Sequence, residues 1–328
     1  MKNILRSVMV IAVLIPHISG AAALHKTSTA DLTDAVGNYA VEKTPHNLST
    51  IKEMLDLGTV PDIQTLFIAT YYKMPDILDV LLKYNNSVDQ PIQENGETLL
   101  SYVLRHIEDE STTADEKRMV LSLIKAGANV NDRGKDGNET PLMVAANGGS
   151  SQHPHLDMVK VLLDAGADAT LTTSNGFNAL TGMAASNLAI IDTLVEAGAD
   201  PYNISAVGST PLHFVCGRAY DMADKPDPEA VKRIDKLLKP GSSIDAFYSQ
   251  EKTWPIGTPL RESLESRNPD CVRALIEKGA NPDAIAYPES IAKNDPSVKG
   301  MTVRQIALRS AKEYPELYSA DIIKLLER

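Results

Sequence analysis

The sequence predicts an all-α solenoid of about eight helix–turn–helix repeats with short finger loops between them. Two recurring signals predict it, and both appear in the same order several times. A helix-start signal, Thr-Pro-Leu, and a helix-end signal, Gly-Ala before Asn or Asp, alternate along the chain. The first signal occurs at 140–142, 210–212 and 258–260, and the second at 127–129, 166–168, 198–200 and 279–281.

Residues 137–170 contain the clearest unit. Thr140 can cap the free N–H groups of a first helix, and Pro141 suits the first helical position because it has no N–H to leave unpaired. The apolar residues in 158–163 are spaced for one face of a second helix. Gly166 can end that helix in the left-handed conformation. The hairpin is too small to bury its own apolar face, so it needs neighbours.

These motifs resemble the ankyrin repeat, and the resemblance covers nearly all of the chain after residue 30. The resemblance implies a non-enzymatic protein-binding solenoid, 31–328, with a concave face and projecting finger loops. The expected repeats lie near 31–58, 61–92, 96–131, 137–170, 176–203, 208–246, 257–284 and 300–328.

The individual repeats differ in their ends and insertions. The first should pair a helix at Asp31–Glu42 with one at Leu48–Leu57. Weaker helix-start signals occur at 97–99 and 178–180. The second repeat ends at Asn85 where glycine is usual, and Asn is the next-best left-handed residue. Insertions at 108–116, 147–155 and 219–229 fall within repeats, and those at 247–256 and 285–299 fall between repeats.

Residues 1–23 have the layout of a secretory signal peptide. Lys2 and Arg6 precede a short apolar run, Val8–Ile15, and small residues follow. We expect cleavage near Ala21 to Ala23, which makes the protein periplasmic or secreted with no membrane span after cleavage. An uncleaved anchor is the alternative, but the apolar run is short for a membrane span.

Charge and cysteine content bear on the kind of partner and on the redox state of the protein. The formal net charge of −11 argues against nucleic-acid binding and suits a basic protein partner, although a solvated acidic surface is the simpler explanation. Cys216 and Cys271 are the only cysteines. A disulfide is open to an exported chain, but both positions fall on core-facing sites, which favours two buried thiols.

No catalytic, cofactor or metal motif is found, so we expect no enzyme. His153-Pro154-His155 is interpreted as a surface loop rather than a metal site. His213 follows Thr-Pro-Leu, where the family resemblance implies an architectural role in supporting the turn. Met143, Thr181 and Arg261 take the equivalent place and suggest looser support there.

Aromatic residues on the loops are the candidate partner-binding residues, because large rigid side chains dominate interface energetics. Trp254 is the only Trp and lies in a finger loop, although it could equally cover the seam between repeats six and seven. Charged residues of the first helices are added as concave-face candidates. The full set is Phe247, Tyr248, Trp254, Tyr287, Tyr202, Arg218, Glu262 and Glu265.

The expected function is therefore binding of one partner protein outside the cytoplasm. Resemblance to exported bacterial ankyrin-like proteins suggests an immunity or inhibitor protein for a secreted toxin or phospholipase. An accessory or protective factor for a periplasmic enzyme, a secreted effector that binds host proteins, and an envelope scaffold are the alternatives. The oligomeric state stays open.

Overall fold

The structure is a computed structural model of the chain, and it describes most residues after the amino-terminal segment. The described residues are 27–85, 87–108, 114–134, 139–150, 153–216, 226–245, 257–264, 268–286, 296–313 and 320–327.

Fourteen α-helices lie within these residues, together with three short 3-10 helices and two isolated bridges, so the predicted all-α class is confirmed. The α-helices are α1 Thr29–Val41, α2 Pro45–Asp56, α3 Ile63–Tyr71, α4 Pro75–Leu81, α5 Leu99–Arg105, α6 Ala114–Lys125, α7 Pro141–Asn147, α8 Leu156–Asp164, α9 Leu188–Glu196, α10 Ala230–Leu237, α11 Pro259–Ser263, α12 Pro269–Glu277, α13 Val303–Glu313 and α14 Ala320–Leu326. The 3-10 helices are Gly182–Ser186, Pro211–Phe214 and Pro296–Val298.

The helices form two layers, as expected for a solenoid in which each repeat packs on the next. First helices pack in sequence, α1 on α3, α3 on α5 and α5 on α7. This row continues through 182–186 and 211–214 to α11. Second helices form the other layer, where α9, α10, α12 and α14 pack in turn. One apolar core runs between the layers from Leu32 to Leu326.

The signals that define a repeat act as predicted at the clearest unit. The Thr140 hydroxyl accepts the Met143 N–H at 3.3 Å, and α7 begins at Pro141. Thr258 caps α11 in the same way, accepting from the Arg261 N–H at 3.2 Å. Gly166 has φ 91°, a left-handed conformation that costs a residue without Cβ little.

The first helices of repeats five and six are shorter than the pattern predicts. In repeat five, the segment after Asn178 forms no α-helix, and a 3-10 turn begins at Gly182, whose φ of 84° interrupts helical geometry. A Cβ there would lie 2.7 Å from Asn147 Oδ1, which itself accepts the Ala184 N–H at 3.2 Å. The side chain of repeat four thus sets the backbone of repeat five.

The left-handed conformation expected of Asn85 is wrong. Its amide instead donates to the Pro61 carbonyl at 2.8 Å and accepts the Ser87 N–H at 2.6 Å, so its side chain fixes a different loop. Among the described residues, Lys73 has the positive φ that a non-glycine residue rarely adopts, at 49°. It lies in the turn between α3 and α4.

Side chains in the loops connect successive repeats. The Asp89 carboxylate accepts the Asn129 N–H at 2.8 Å, and Asn131 accepts the Asp168 N–H at 2.8 Å. Asp245 repeats the contact with the Asn281 N–H at 2.9 Å. The Asn or Asp of the helix-end signal therefore presents its backbone to an acceptor from the preceding repeat.

Cys216 and Cys271 form a disulfide, so the expectation of two free thiols is wrong. Both are buried, as predicted, but their Cα atoms lie 5.6 Å apart, within the range that a disulfide requires. Cys216 follows the 3-10 helix of repeat six, and Cys271 lies in the first turn of α12. The bond joins repeats six and seven.

A buried polar network lies beside this disulfide. Arg233 of α10 holds Asp227 through both carboxylate oxygens, at 2.8 and 2.5 Å. Arg233 also donates to the Val215 carbonyl at 3.3 Å. Asn268 donates to Asp227 at 2.7 Å and accepts the Cys271 N–H at 3.1 Å, so one amide connects the ion pair to the disulfide.

Candidate protein-binding face

The first helices, with residues 182–186 and 211–214, form one surface, here called the first-helix face. An aromatic cluster lies on it in repeats two and three: Phe67, Tyr71, Tyr72, Tyr102 and His106. Phe67 of α3 meets Tyr102 of α5 with ring centroids 5.1 Å apart, in an edge-to-face arrangement. The cluster therefore crosses from one repeat to the next.

Much of this cluster is open to solvent. Tyr71 is 48% exposed and Tyr72 is 38% exposed, so two adjacent large rings are open to solvent. None of the hydroxyls of Tyr71, Tyr72 and Tyr102 has a hydrogen-bond partner among the described residues. Burial raises the pKa of Tyr102, and the proximity of Tyr71 and Glu97 adds to the effect. Such amphipathic rings are typical of interaction surfaces.

A groove of about 630 Å³ continues the first-helix face through repeats three to six. Its outer wall is a finger loop between repeats four and five, closed by a Thr173 N–H to Phe177 carbonyl bond of 2.8 Å. The lining combines thioether and aromatic side chains with amides, hydroxyls and one ion pair. It includes Arg105, Glu139, Met143, Asn147, Phe177, Asn178, Thr181, Met183 and Phe214.

Arg105 joins the aromatic cluster to the groove. Its guanidinium donates to Glu97 at 3.0 Å and to Glu139 at 3.3 Å, so it bridges repeats three and four. The Arg105 carbonyl accepts the Ser150 N–H at 2.8 Å. This close approach requires Gly149, because a Cβ there would lie 2.5 Å from the Arg105 carbonyl oxygen. The backbone of repeat four thus fixes the end of α5.

Most of the predicted binding residues cannot be placed. Phe247, Tyr248, Trp254, Tyr287, Arg218 and Glu265 lie outside the described residues. Tyr202 is partly exposed in the turn after α9, where its N–H donates to Asp200 at 2.9 Å. Glu262 of α11 accepts the Gly257 N–H at 3.0 Å, so its carboxylate already supports the helix start. Neither lies in the aromatic cluster or the groove.

His155 is not on the surface, and the surface-loop interpretation is wrong for it. The side chain is 2% exposed, and neither ring nitrogen has a hydrogen-bond partner among the described residues. The backbone N–H of His155 donates to the Ala145 carbonyl at 3.0 Å, which holds this part of the loop against α7. Burial lowers the pKa of His155. Within the described residues no cluster of His, Cys, Asp or Glu could hold a metal ion.

His213 supports the turn before the first helix of repeat six. Its Nδ1 accepts the Thr210 N–H at 3.1 Å, and burial lowers the pKa of the imidazole to about 4. Thr181 makes the matching contact in repeat five, where its hydroxyl accepts the Asn178 N–H at 3.2 Å. A hydroxyl thus replaces the imidazole as acceptor in repeat five, and the looser support expected there stays a prediction.

The sequence interpretation missed the aromatic cluster because it considered aromatics on loops alone. The signal was present, because Phe67, Tyr71 and Tyr102 occur in first helices. Their meeting depends on the packing of two repeats, which a single repeat cannot reveal.

Comparison with known proteins agrees with this architecture. The family model for ankyrin repeats in three copies matches residues 66–173 and 111–205. The E3 ubiquitin-protein ligase KEG of Arabidopsis thaliana is 24% identical over 246 residues, which covers 72% of this chain. The chain corresponds to 14% of that relative's length.

The ankyrin repeats indicate a protein–protein interaction module. Residues 66–205 match the ankyrin repeat family, whose members are typically non-enzymatic and bind partner proteins. No described helix has both the length and the apolar character needed to cross a membrane.

Proposed function

We propose that this protein is exported and holds one partner protein on its first-helix face, as the immunity or inhibitor protein of a secreted toxin or phospholipase. It has no catalytic role of its own. The observation that carries the binding role is the continuous surface formed by the aromatic cluster and the groove. Both are preformed, so little conformational entropy is lost on docking.

The groove supports a specific partner over a general adhesive surface. Met183 and Phe177 give it adaptable and rigid apolar contacts, and the exposed Asn175 at its wall can hydrogen-bond to a partner. A solenoid that covers a partner's working surface inhibits it without chemistry. Similarity to the plant ligase adds nothing to this role, since the matched part is a small fraction of that protein.

Two features support export. The amino-terminal 23 residues have the charge, apolar run and small residues of a cleaved signal. A disulfide between Cys216 and Cys271 suits an oxidising compartment such as the periplasm.

The test is purification of the full chain, tagged at its carboxyl terminus, from fractionated native cells. We expect a mature protein that starts near residues 22–24, outside the cytoplasm, with one partner at equal stoichiometry. A toxic hydrolase inhibited at a 1:1 ratio is the result expected for an immunity protein. Several substoichiometric partners indicate a scaffold, and an uninhibited enzyme partner indicates an accessory factor.

A matched pair of variants locates the contact. Met183→Glu places a charge in the groove and should release the partner. Val195→Glu changes α9 of the same repeat at a side chain that is 37% exposed on the second helix, and it should retain the partner. Loss of the partner from both variants, or from neither, contradicts binding through the groove.

A further inference from the structure

The aromatic cluster has features that a general docking surface does not explain. Two of its ring pairs meet at steep angles, 76° between Phe67 and Tyr102 and 81° between Tyr71 and Tyr72, whereas Tyr102 stacks on His106 at 29°. Rings set edge to face form the walls of a corner, whereas stacked rings present one flat face. A compact group placed in such a corner contacts more than one ring.

The charges around the cluster are mostly negative. Lys73 donates to the buried carboxylate of Glu116 at 2.9 Å, and Arg105 is held by Glu97 and Glu139. Both nearby cations are therefore already neutralised.

Glu108 is exposed close to the cluster and adds a further negative charge, which acts on Lys73. Over residues 27–108 the chain has twelve acidic residues and five basic ones. The cluster therefore lies in an acidic part of the chain.

Electron-rich ring faces in a negative potential select a cation. Arginine fits better than lysine, because its planar guanidinium stacks on aromatic rings and its N–H groups match carboxylates and tyrosine oxygens. An acidic peptide or a nucleic acid would be repelled. A second copy of this chain is also disfavoured, since the whole protein has a formal net charge of −11.

We propose that the aromatic cluster is the subsite for an arginine-bearing segment of the partner protein. The arginine side chain packs against the rings of Tyr71 and Tyr102, both of which contact Phe67, and the exposed carboxylate of Glu108 attracts its charge. This inference rests on the proposed function in one respect, that the ligand is a protein. It adds the chemistry by which the partner is recognised and the repeats that recognise it.

The test uses the full mature chain and two decapeptides, one alternating arginine with glycine and the other alternating glutamate with glycine. Binding is measured by isothermal titration at low and moderate salt. We expect the arginine peptide to bind at least tenfold more tightly than the glutamate peptide. Equal affinities overturn the proposal.

Two substitutions separate ring recognition from general attraction to an acidic surface. The double variant Tyr71→Leu and Tyr102→Leu keeps the net charge and removes the ring faces. It should lower the affinity for the arginine peptide at least tenfold. Tyr84→Leu is the matched control, because Tyr84 is 37% exposed in the turn that follows α4, a second helix. It should change affinity less than twofold. Unchanged affinity in the double variant contradicts the subsite.

Folding is checked by circular dichroism and thermal melting of each variant. If the double variant has a lowered melting temperature, the peptide affinity of the single variant Tyr71→Leu is the test. The Tyr71 ring is 48% exposed, so its loss leaves the core intact. The two proposals fail separately. A native partner that stays bound to the double variant overturns the arginine subsite alone. Peptide binding at the cluster without any native partner overturns the proposed function alone.

Discussion

Lys73 reaches from a left-handed turn to the buried carboxylate of Glu116, 2.9 Å away on α6. The side chain of Glu116 is 4% exposed, so its charge depends on partners inside the protein. The hydrogen bond to Glu116 raises the pKa of Lys73. A backbone conformation that favours glycine is therefore occupied by lysine, and the ion pair between repeats two and three explains why.

Replacing Lys73 separates the cost of its left-handed backbone from the stabilisation that its ion pair provides. Lys73→Met keeps the strained backbone and takes away the cation, and it should lower the free energy of unfolding by about 2 kcal/mol. Lys73→Gly also loses the cation but relieves the left-handed backbone, so its loss should be smaller by about 1 kcal/mol. Urea denaturation of both variants measures the difference. A glycine variant less stable than the methionine variant would contradict this account.

The disulfide should account for a large part of the stability of repeats six and seven. Replacing both Cys216 and Cys271 with alanine should lower the free energy of unfolding by about 2–4 kcal/mol, since the bond closes a loop of 55 residues. Denaturation with and without dithiothreitol measures it. Reductant should destabilise the natural protein and leave the double variant unchanged. A natural protein indifferent to reductant under denaturing conditions argues against the bond.

The ion pair between Arg233 and Asp227 should matter far more than one on the surface. Their side chains are 4% and 6% exposed, so Arg233→Met leaves a buried carboxylate without its main cation and should cost about 3–5 kcal/mol. Arg273, which pairs with Asp270 within α12 and is 43% exposed, is the control. Arg273→Met should cost less than about 1 kcal/mol. Similar losses in the two variants would refute the distinction.

His213 should make stability fall in mildly acidic solution. Burial lowers its pKa from 6.5 to about 4, so the unfolded chain takes up the proton at higher pH than the folded chain does. The contribution of neutral His213 to the free energy of unfolding is complete above pH 6.5. It is lost as the pH falls toward 4, and the total loss is about 3 kcal/mol.

The variant His213→Gln isolates this contribution. Carboxylates titrate in the same window in both proteins, so the difference between their stability curves reports the imidazole alone. Urea midpoints measured from pH 7 to pH 4 should fall more steeply for the natural protein. Parallel curves would rule out the buried neutral imidazole.

Local features of the fold could be predicted because each depends on a few neighbouring residues. Thr140 and Pro141 start α7 through a cap that spans three residues, and Gly166 ends α8 through one backbone angle. Asn85 shows the limit, since its side chain bonds to Pro61 in the preceding loop, and no local rule foresees that contact.

The candidate site depends on residues distant in sequence, so less of it could be predicted. Phe67 and Tyr102 meet across a repeat boundary, and Cys216 reaches Cys271 across 55 residues. The shape of the first-helix face, and the burial of His155 within an apparent surface insertion, arise from packing between repeats. The composition shows that the protein is acidic. Only the folded structure shows which acidic residues lie near the exposed rings.

The bond between Cys216 and Cys271 has a mechanical consequence. A repeat array pulled from its two ends normally unravels one hairpin at a time, and each hairpin adds its full length. Here the covalent bond bypasses 55 residues, so the stretched oxidised chain should be shorter than the reduced one by roughly 180 Å. Translocation of the oxidised protein through a narrow pore or a protease channel therefore requires more than one strand to pass side by side at this point, unless the bond is reduced first.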